Sequence, residues 1–253
     1  MKRRMKLLTV LPLAVVLVAM VLLGLAGRHG KDKPADPLPP ESNGEVEPGG
    51  QDQPGQNDPV EDPAETGREA IPADVERTGD YLYYIKVNDE ANVVTVYAAD
   101  ESGYYTVPYR AMLCSTGSAT PTSGVFALPG NRWIWKSLFG DVYGQYATHI
   151  TGDILFHSVP YARNEDKGSL KYEEYDKLGT SCSMGCVRLQ VADAQWIYDN
   201  MFFIQAVEFY ESPAPGPLGR PEVPGISDNV TCRDWDPTDP DENNPWRKHS
   251  ANG

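Results

Sequence analysis

Residues 30 to about 75 form a segment that cannot build a hydrophobic core, and this limits how much of the chain can fold. The segment consists mainly of Pro, Gly, Asp, Glu, Gln and Asn, with almost no large apolar side chains. Such a composition buries too little apolar surface to offset the entropy lost on ordering. We therefore predict a disordered acidic linker over residues 30–78, which acts as a self-repelling spacer.

The chain after Ser212 is again rich in Pro, Asp and Asn. We predict a C-terminal tail over 213–253 outside the folded core, with its tryptophans docked on the domain surface. Residues 79–212 remain, and about 130 residues is an ordinary size for one globular domain. The formal net charge of −14 argues against nucleic acid as a partner, because binding phosphates requires clustered Lys and Arg.

The N-terminus carries four basic residues and then an uncharged apolar run from Leu7 to Gly27. Such a run is long enough to cross a bilayer of about 30 Å. We expect a transmembrane signal anchor over 1–29, with the N-terminus in the cytoplasm and the remainder on the outer side of the cell membrane. Secretion after cleavage of a signal peptide is the alternative.

Short runs of aromatic and β-branched residues, separated by turn signals, fill the first half of the domain. They predict a mainly β fold, a sandwich or small barrel with one or two short helices. The predicted helices are 170–178 and 191–200, the second supported by apolar residues at helical spacing. The predicted strands are 81–87, 92–97, 104–107, 109–115, 125–128, 133–135, 143–151, 154–157 and 207–210.

The segment Ser183–Leu189 reads Ser-Met-Gly-Cys-Val-Arg-Leu and places Cys186 on a turn between small residues. A cysteine on a tight turn can present its sulfur to a substrate while backbone N–H groups converge near it, which suits a thiolate nucleophile with an oxyanion pocket. His157 supplies a base near neutral pH. His149 is the competing base within the domain.

Four sequence blocks follow one another along the domain: Ser115-Thr116-Gly117 with Thr120-Pro121-Thr122-Ser123-Gly124, Phe156-His157-Ser158, Leu178-Gly179, and Ser183-Met184-Gly185-Cys186-Val187-Arg188-Leu189. In this order they resemble the L,D-transpeptidase catalytic domain, also called the YkuD-type domain. The resemblance covers about residues 80–212 and implies a YkuD-like β fold. Met184 departs from the family pattern, which usually has His at this position.

The resemblance implies a role for each residue of these blocks. Cys186 is the nucleophile and His157 the general base, paired as thiolate and imidazolium. The Ser158 carbonyl orients the imidazole, and the N–H groups of Gly185, Cys186 and Met184 form the oxyanion pocket. Residues 160–178 would be an insertion that forms a loop and short helix, a candidate lid over the cleft.

Three residues near the nucleophile keep two interpretations each. Arg188 binds a substrate carboxylate or pairs with an internal acid to fix the loop. Ser183 binds substrate or caps the turn. Cys182 is a redox partner of Cys186, or a buried or disulfide-bonded residue.

The four cysteines lie in the exported part, where disulfides are permitted, and sequence does not choose among their pairings. No zinc-like spacing of Cys and His is present, so we expect neither a metal nor a cofactor. The four cysteines are Cys114, Cys182, Cys186 and Cys232.

Together these features predict a membrane-anchored, monomeric cysteine acyltransferase that acts on peptidoglycan stem peptides. The resemblance implies a tetrapeptide donor, release of D-Ala and acyl transfer to an amine of a neighbouring stem through a thioester. An L,D-carboxypeptidase using the same site and a non-catalytic wall-binding module remain alternatives. A sortase-like transpeptidase is disfavoured, because such enzymes have Thr before the cysteine and a distant Arg.

Overall fold

The computed structural model of the chain describes residues 75–249. The predicted signal anchor over 1–29 and nearly all of the predicted linker lie outside the described residues. Within the described range, no helix combines the length and the apolar character that a membrane crossing requires. The first described residues already contact the domain, because Glu76 forms a β-bridge with Tyr104.

Nine strands and three short α-helices occur between residues 75 and 249, together with one turn of 3-10 helix at Met201–Phe203. They agree with the predicted mainly β character. The strands are β1 (Tyr83–Asn88), β2 (Val93–Ala98), β3 (Val107–Leu113), β4 (Gly124–Phe126), β5 (Arg132–Leu138), β6 (Val142–Thr151), β7 (Ile154–Ser158), β8 (Val187–Leu189) and β9 (Ile204–Tyr210). The α-helices are α1 (Tyr172–Tyr175), α2 (Val191–Asn200) and α3 (Trp246–His249).

The strands form two sheets. The first has the order β3-β2-β1-β9-β4, with β1 and β2 as an antiparallel hairpin and β9 parallel to β1. The second has the order β5-β6-β7-β8, in which β7 and β8 are parallel neighbours. Ser115, just after β3, forms a bridge with Arg188 of β8, so the chain leaving the first sheet pairs with the edge of the second.

The main core lies where the two sheets and α2 meet. Ile85 and Val87 of β1 lie in the same buried cluster as Phe156 of β7, Val187 of β8 and Ile197 of α2. The alternating residue Tyr84 lies in a separate cluster with Tyr97 and Tyr105, as the two-residue period of a strand requires. Apolar residues from both sheets in one cluster fit the predicted sandwich.

The C-terminal tail is more integrated than the sequence predicts. Ile226 is buried in a second cluster with Tyr161, Leu170 and Tyr175, and Trp246 packs against the same cluster. The prediction of a tail outside the core is wrong for residues 226–246. The composition was misleading because a few isolated apolar side chains, rather than a periodic pattern, anchor this segment.

The predicted insertion at 160–178 contributes several side chains to this second cluster. Helix α1 has four residues instead of the nine predicted at 170–178. Leu170 N–H donates to the Asp234 carbonyl and Lys171 N–H to the Pro160 carbonyl, so the start of the predicted helix is not helical. Of residues 160–178, Pro160 lines the cleft described below, and the segment mainly covers the second core rather than forming a lid.

Candidate active site

His157, Cys186 and Arg188 lie together at one end of the second sheet. His157 on β7 stands opposite Arg188 on β8 in the parallel register, and Cys186 directly precedes β8. All three line one cavity of about 740 Å³, whose walls include Trp133 and the strongly exposed Phe139. The structure therefore unites the predicted nucleophile and base, which are far apart in sequence.

The segment after β3 is hydrogen-bonded to the cysteine turn. Thr116 C=O accepts the N–H of Ser183 at 2.8 Å, and Thr120 Oγ1 donates to the Gly185 carbonyl at 2.7 Å. A Cβ at Gly117 would lie 2.0 Å from the Ser183 carbonyl oxygen, so only glycine allows this approach. The blocks at 115–124 and 183–189 thus form one structural unit.

Ser183 caps the turn, one of its two predicted roles. Its hydroxyl donates to the Cys186 carbonyl at 2.7 Å and accepts the Gly185 N–H at 3.0 Å. The Gly185 N–H is therefore already occupied, which differs from its predicted place in the oxyanion pocket. Within residues 75–249, the N–H groups of Met184 and Cys186 have no hydrogen-bond partner, so they are the donors left for an oxyanion.

The imidazole of His157 is buried and oriented. Its Nδ1 lies 2.5 Å from the Ser158 carbonyl oxygen. A carbonyl can only accept, so Nδ1 carries the proton and Nε2 remains the basic nitrogen. Gly144 packs directly under the ring, where a Cβ would lie 2.9 Å from Nδ1.

Burial favours the uncharged form of both reacting groups. It lowers the pKa of His157 to about 4. The Ser158 hydrogen bond opposes this lowering in part, and the Arg188 charge adds a lowering smaller than that opposing effect. Burial also raises the pKa of the Cys186 thiol above its usual 9.0. The Cys186 Sγ contacts the Asp153 carbonyl oxygen at 3.6 Å. The resting pair is therefore a thiol and a neutral imidazole, not the predicted thiolate and imidazolium.

Arg188 is paired with an internal acid, the second of its predicted interpretations. Its guanidinium donates to Glu174 Oε2 at 2.7 Å and lies 3.8 Å from Cys182 Sγ. Glu174 lies on α1, so this ion pair ties the cysteine strand to the segment over the second core. The Arg188 side chain still forms part of the cavity wall.

All four cysteines are free thiols in the structure. Cys114 is fully buried in the main core, and burial raises its pKa well above 9.0. Cys182 is partly exposed beside Arg188. Among the described residues, no group of three His, Cys, Asp or Glu side chains is placed to hold a metal ion.

Several residues that shape the site escaped the sequence analysis. Glu174, Asp153 and Gly144 each act through a contact between segments that are distant in sequence. Only Gly144 carries a local signal, because a lone glycine within a strand often marks a close approach of a neighbouring group. His149, the competing base, lines the same cavity, with its Nε2 2.7 Å from the Gly152 carbonyl oxygen.

The chain is similar in sequence to known proteins. Residues 82–202 match the sequence model of the YkuD family, the L,D-transpeptidase catalytic domain. YciB of Bacillus subtilis strain 168, a candidate L,D-transpeptidase, is 34% identical over 102 residues, which cover 38% of this chain and 50% of YciB. The chain thus matches about half the length of this curated relative.

Two solved structures are also similar to the chain. One is a fused Zn-dependent amidase/peptidase and peptidoglycan-binding domain protein from Clostridium acetobutylicum, at 20% identity and a TM-score of 0.38 over 55% of this chain and 57% of the other. The other is an L,D-transpeptidase from Mycobacterium smegmatis, at 19% identity and a TM-score of 0.37 over 50% of this chain and 58% of the other.

Proposed function

Because residues 82–202 belong to the YkuD family of L,D-transpeptidase catalytic domains, we propose that the protein is a peptidoglycan L,D-transpeptidase. One observation supports this function most strongly. Cys186 and an imidazole oriented by the Ser158 carbonyl share one cavity. The backbone N–H groups of Met184 and Cys186 have no hydrogen-bond partner among the residues that the structure describes. This set provides a nucleophile, a base and an oxyanion pocket, the three parts that acyl transfer requires.

The first half-reaction acylates the enzyme. Nε2 of His157 takes the thiol proton of Cys186 as the sulfur attacks the carbonyl carbon at the end of the stem's third residue. The N–H groups of Met184 and Cys186 stabilise the resulting oxyanion. The intermediate collapses when the C–N bond breaks, the amine of D-Ala takes the proton from His157, and a thioester remains on Cys186.

The second half-reaction regenerates the thiol. An amine of a neighbouring stem attacks the thioester, and His157 accepts its proton through Nε2. The C–S bond then breaks, and the sulfur leaves as a thiolate that recovers the proton from the imidazolium. Since the resting imidazole is neutral at pH 7, it can act as the base in both half-reactions without prior deprotonation.

The function is tested by incubating the full-length protein with tetrapeptide muropeptides and analysing the products by mass spectrometry. Transfer to a stem amine produces cross-linked dimers together with free D-Ala. Tripeptides without new dimers would indicate that water is the acceptor and that the protein is an L,D-carboxypeptidase. Unchanged muropeptides would contradict an enzymatic role and support a wall-binding module.

We also propose that the protein is a monomer held in the cell membrane by its N-terminal apolar run, with the catalytic domain on the wall side. The basic residues before Leu7 favour this orientation, and a spacer as long as 30–78 can hold the domain some tens of ångströms, roughly 35–40 Å, from the bilayer. Fractionation of producing cells tests this. A full-length band in the membrane fraction is expected, whereas a shorter band in the medium would indicate cleavage.

A further inference from the structure

The segment 234–246, here called the brace, contains polar side chains that are almost completely buried. The exposed fractions of Asp236, Asp239 and Asn244 are 0%, 2% and 0%. Carboxylates are rarely buried without partners that satisfy them. Their partners identify what the brace contacts, and two of these contacts lead to the reacting groups.

The first contact is with the start of α2. Asp236 Oδ2 accepts the Val191 N–H at 3.0 Å, and Thr238 Oγ1 accepts the Ala192 N–H at 3.0 Å. The residue at the usual capping position, Gln190, makes no side-chain capping hydrogen bond to the helix, and its amide nitrogen donates to the Tyr175 hydroxyl instead. The brace therefore satisfies N–H groups that a helix start leaves unpaired. Gln190 alone separates α2 from β8, which directly follows Cys186.

The second contact leads to the base. Asp239 Oδ2 accepts from Gln145 Nε2 at 3.2 Å, and Lys167 Nζ lies 2.9 Å from Asp239 Oδ1. The Gln145 N–H donates to Ser158 Oγ at 2.9 Å. The carbonyl of the same Ser158 orients His157. Two hydrogen bonds thus connect the brace to the residue that fixes the imidazole.

The brace joins these two contacts into one unit. Asn244 Nδ2 donates to the Asp236 carbonyl at 2.9 Å and to the Asp239 carbonyl at 2.8 Å. Trp246 Nε1 donates to the Trp235 carbonyl at 2.9 Å, which closes the segment on itself. The brace is therefore hydrogen-bonded to the start of α2, which follows the cysteine segment and β8 in the chain. Through Gln145 and Ser158 it is also connected to the strand that carries the imidazole.

We propose that the brace, which lies beyond the family match at 82–202, is a positioning element of the active site. Asp236, Thr238 and Asp239 are positioning residues that fix the distance between Cys186 and His157. The proposal depends on the proposed function only for the identity of the reacting pair. Its test needs no peptide substrate, so a result against the positioning role of the brace can be told apart from a result against the transpeptidase function.

The test measures alkylation of the full-length protein by iodoacetamide from pH 7 to pH 11, quantified at each cysteine by peptide mass spectrometry. Alkylation of Cys186 depends on proton removal from the thiol, and therefore on its placement against His157. Cys114 is fully buried, so its alkylation reports unfolding in the same sample. Four variants are compared with the natural protein: Thr238→Val, Asp239→Ala, Asp239→Asn and Glu242→Ala.

Thr238→Val and Asp239→Ala are expected to change the alkylation rate of Cys186 by about tenfold, because a small misplacement of reacting groups has effects of this size. Both variants should also move the midpoint of the pH profile of Cys186, while Cys114 stays protected from alkylation. Glu242 is exposed in the same segment, and its replacement removes one charge without either effect. Asp239→Asn keeps an oxygen acceptor for Gln145 and should restore most of the rate.

An unchanged Cys186 rate and pH midpoint in both brace variants, with Cys114 protected, would overturn the proposal. If Asp239→Ala exposes Cys114, the Thr238→Val result is used instead. This substitution keeps the side-chain volume and removes one hydroxyl, which accepts the Ala192 N–H and donates to Asp236 Oδ1. A pH profile moved equally by Glu242→Ala would also overturn it, since a general charge effect would then suffice.

Discussion

The buried imidazole of His157 should make the stability of the protein depend on pH. The ring is 2% exposed, and burial lowers its pKa from 6.5 to about 4. One pKa unit corresponds to about 1.4 kcal/mol, so the difference amounts to about 3 kcal/mol. Below pH 6.5 the imidazole is protonated in the unfolded chain, but in the folded protein it stays neutral down to about pH 4. The contribution of about 3 kcal/mol to the free energy of unfolding is therefore complete above pH 6.5 and is lost as the pH falls towards 4.

The measurement is the free energy of unfolding in urea at steps from pH 7.5 to pH 4, for the natural protein and for His157→Gln. Other titrating groups are common to both, so the difference between the two curves isolates His157. This difference should change by about 3 kcal/mol across the window. His149→Gln is the matched control, because it makes the same substitution at a half-exposed histidine that lines the same cavity. Parallel curves for the natural protein and His157→Gln would refute the reasoning.

Two further substitutions test the contacts that hold the reacting groups. Gly144→Ala puts a Cβ 2.9 Å from His157 Nδ1. We expect a loss of about 1–3 kcal/mol in the free energy of unfolding and a drop of about tenfold in kcat/KM. An unchanged kcat/KM would contradict this. Thr120→Val leaves the buried Gly117 N–H and Gly185 C=O unpaired. Thermal unfolding should show a loss of about 1–3 kcal/mol in the free energy of unfolding. An unchanged Tm would show that the turn does not need this hydroxyl.

The strands were largely predictable because each carries a local pattern. Alternating and β-branched runs indicated β1, β2, β6 and β7 to within a few residues of the observed bounds. Strand β8 was not predicted, since three residues within a Gly- and Ser-rich segment have too little pattern to recognise. Its existence depends on pairing with β7 and Ser115, which are remote in sequence.

The site divides in the same way. Cys186, His157 and the Ser158 carbonyl were predictable because they lie in short motifs of recognisable order. The hydrogen bond that occupies the Gly185 N–H and the ion pair of Arg188 with Glu174 were not predictable. Each depends on side-chain geometry, which the spacing of residues in the sequence does not determine. The integration of the tail was missed for a related reason: the buried Asp236 satisfies the first turn of α2 from a distant part of the chain.

The central claim is that Cys186 carries the acyl group as a thioester. Intact-mass analysis of the full-length protein, quenched in acid during turnover of a tetrapeptide stem, measures this directly. We predict that the protein gains the mass of the stem minus that of free D-Ala, because the displaced thiol proton leaves on the amine of D-Ala. This adduct should be retained in Cys182→Ala and absent in Cys186→Ala. An adduct that persists in Cys186→Ala, or new cross-linked dimers formed by that variant, would contradict the claim.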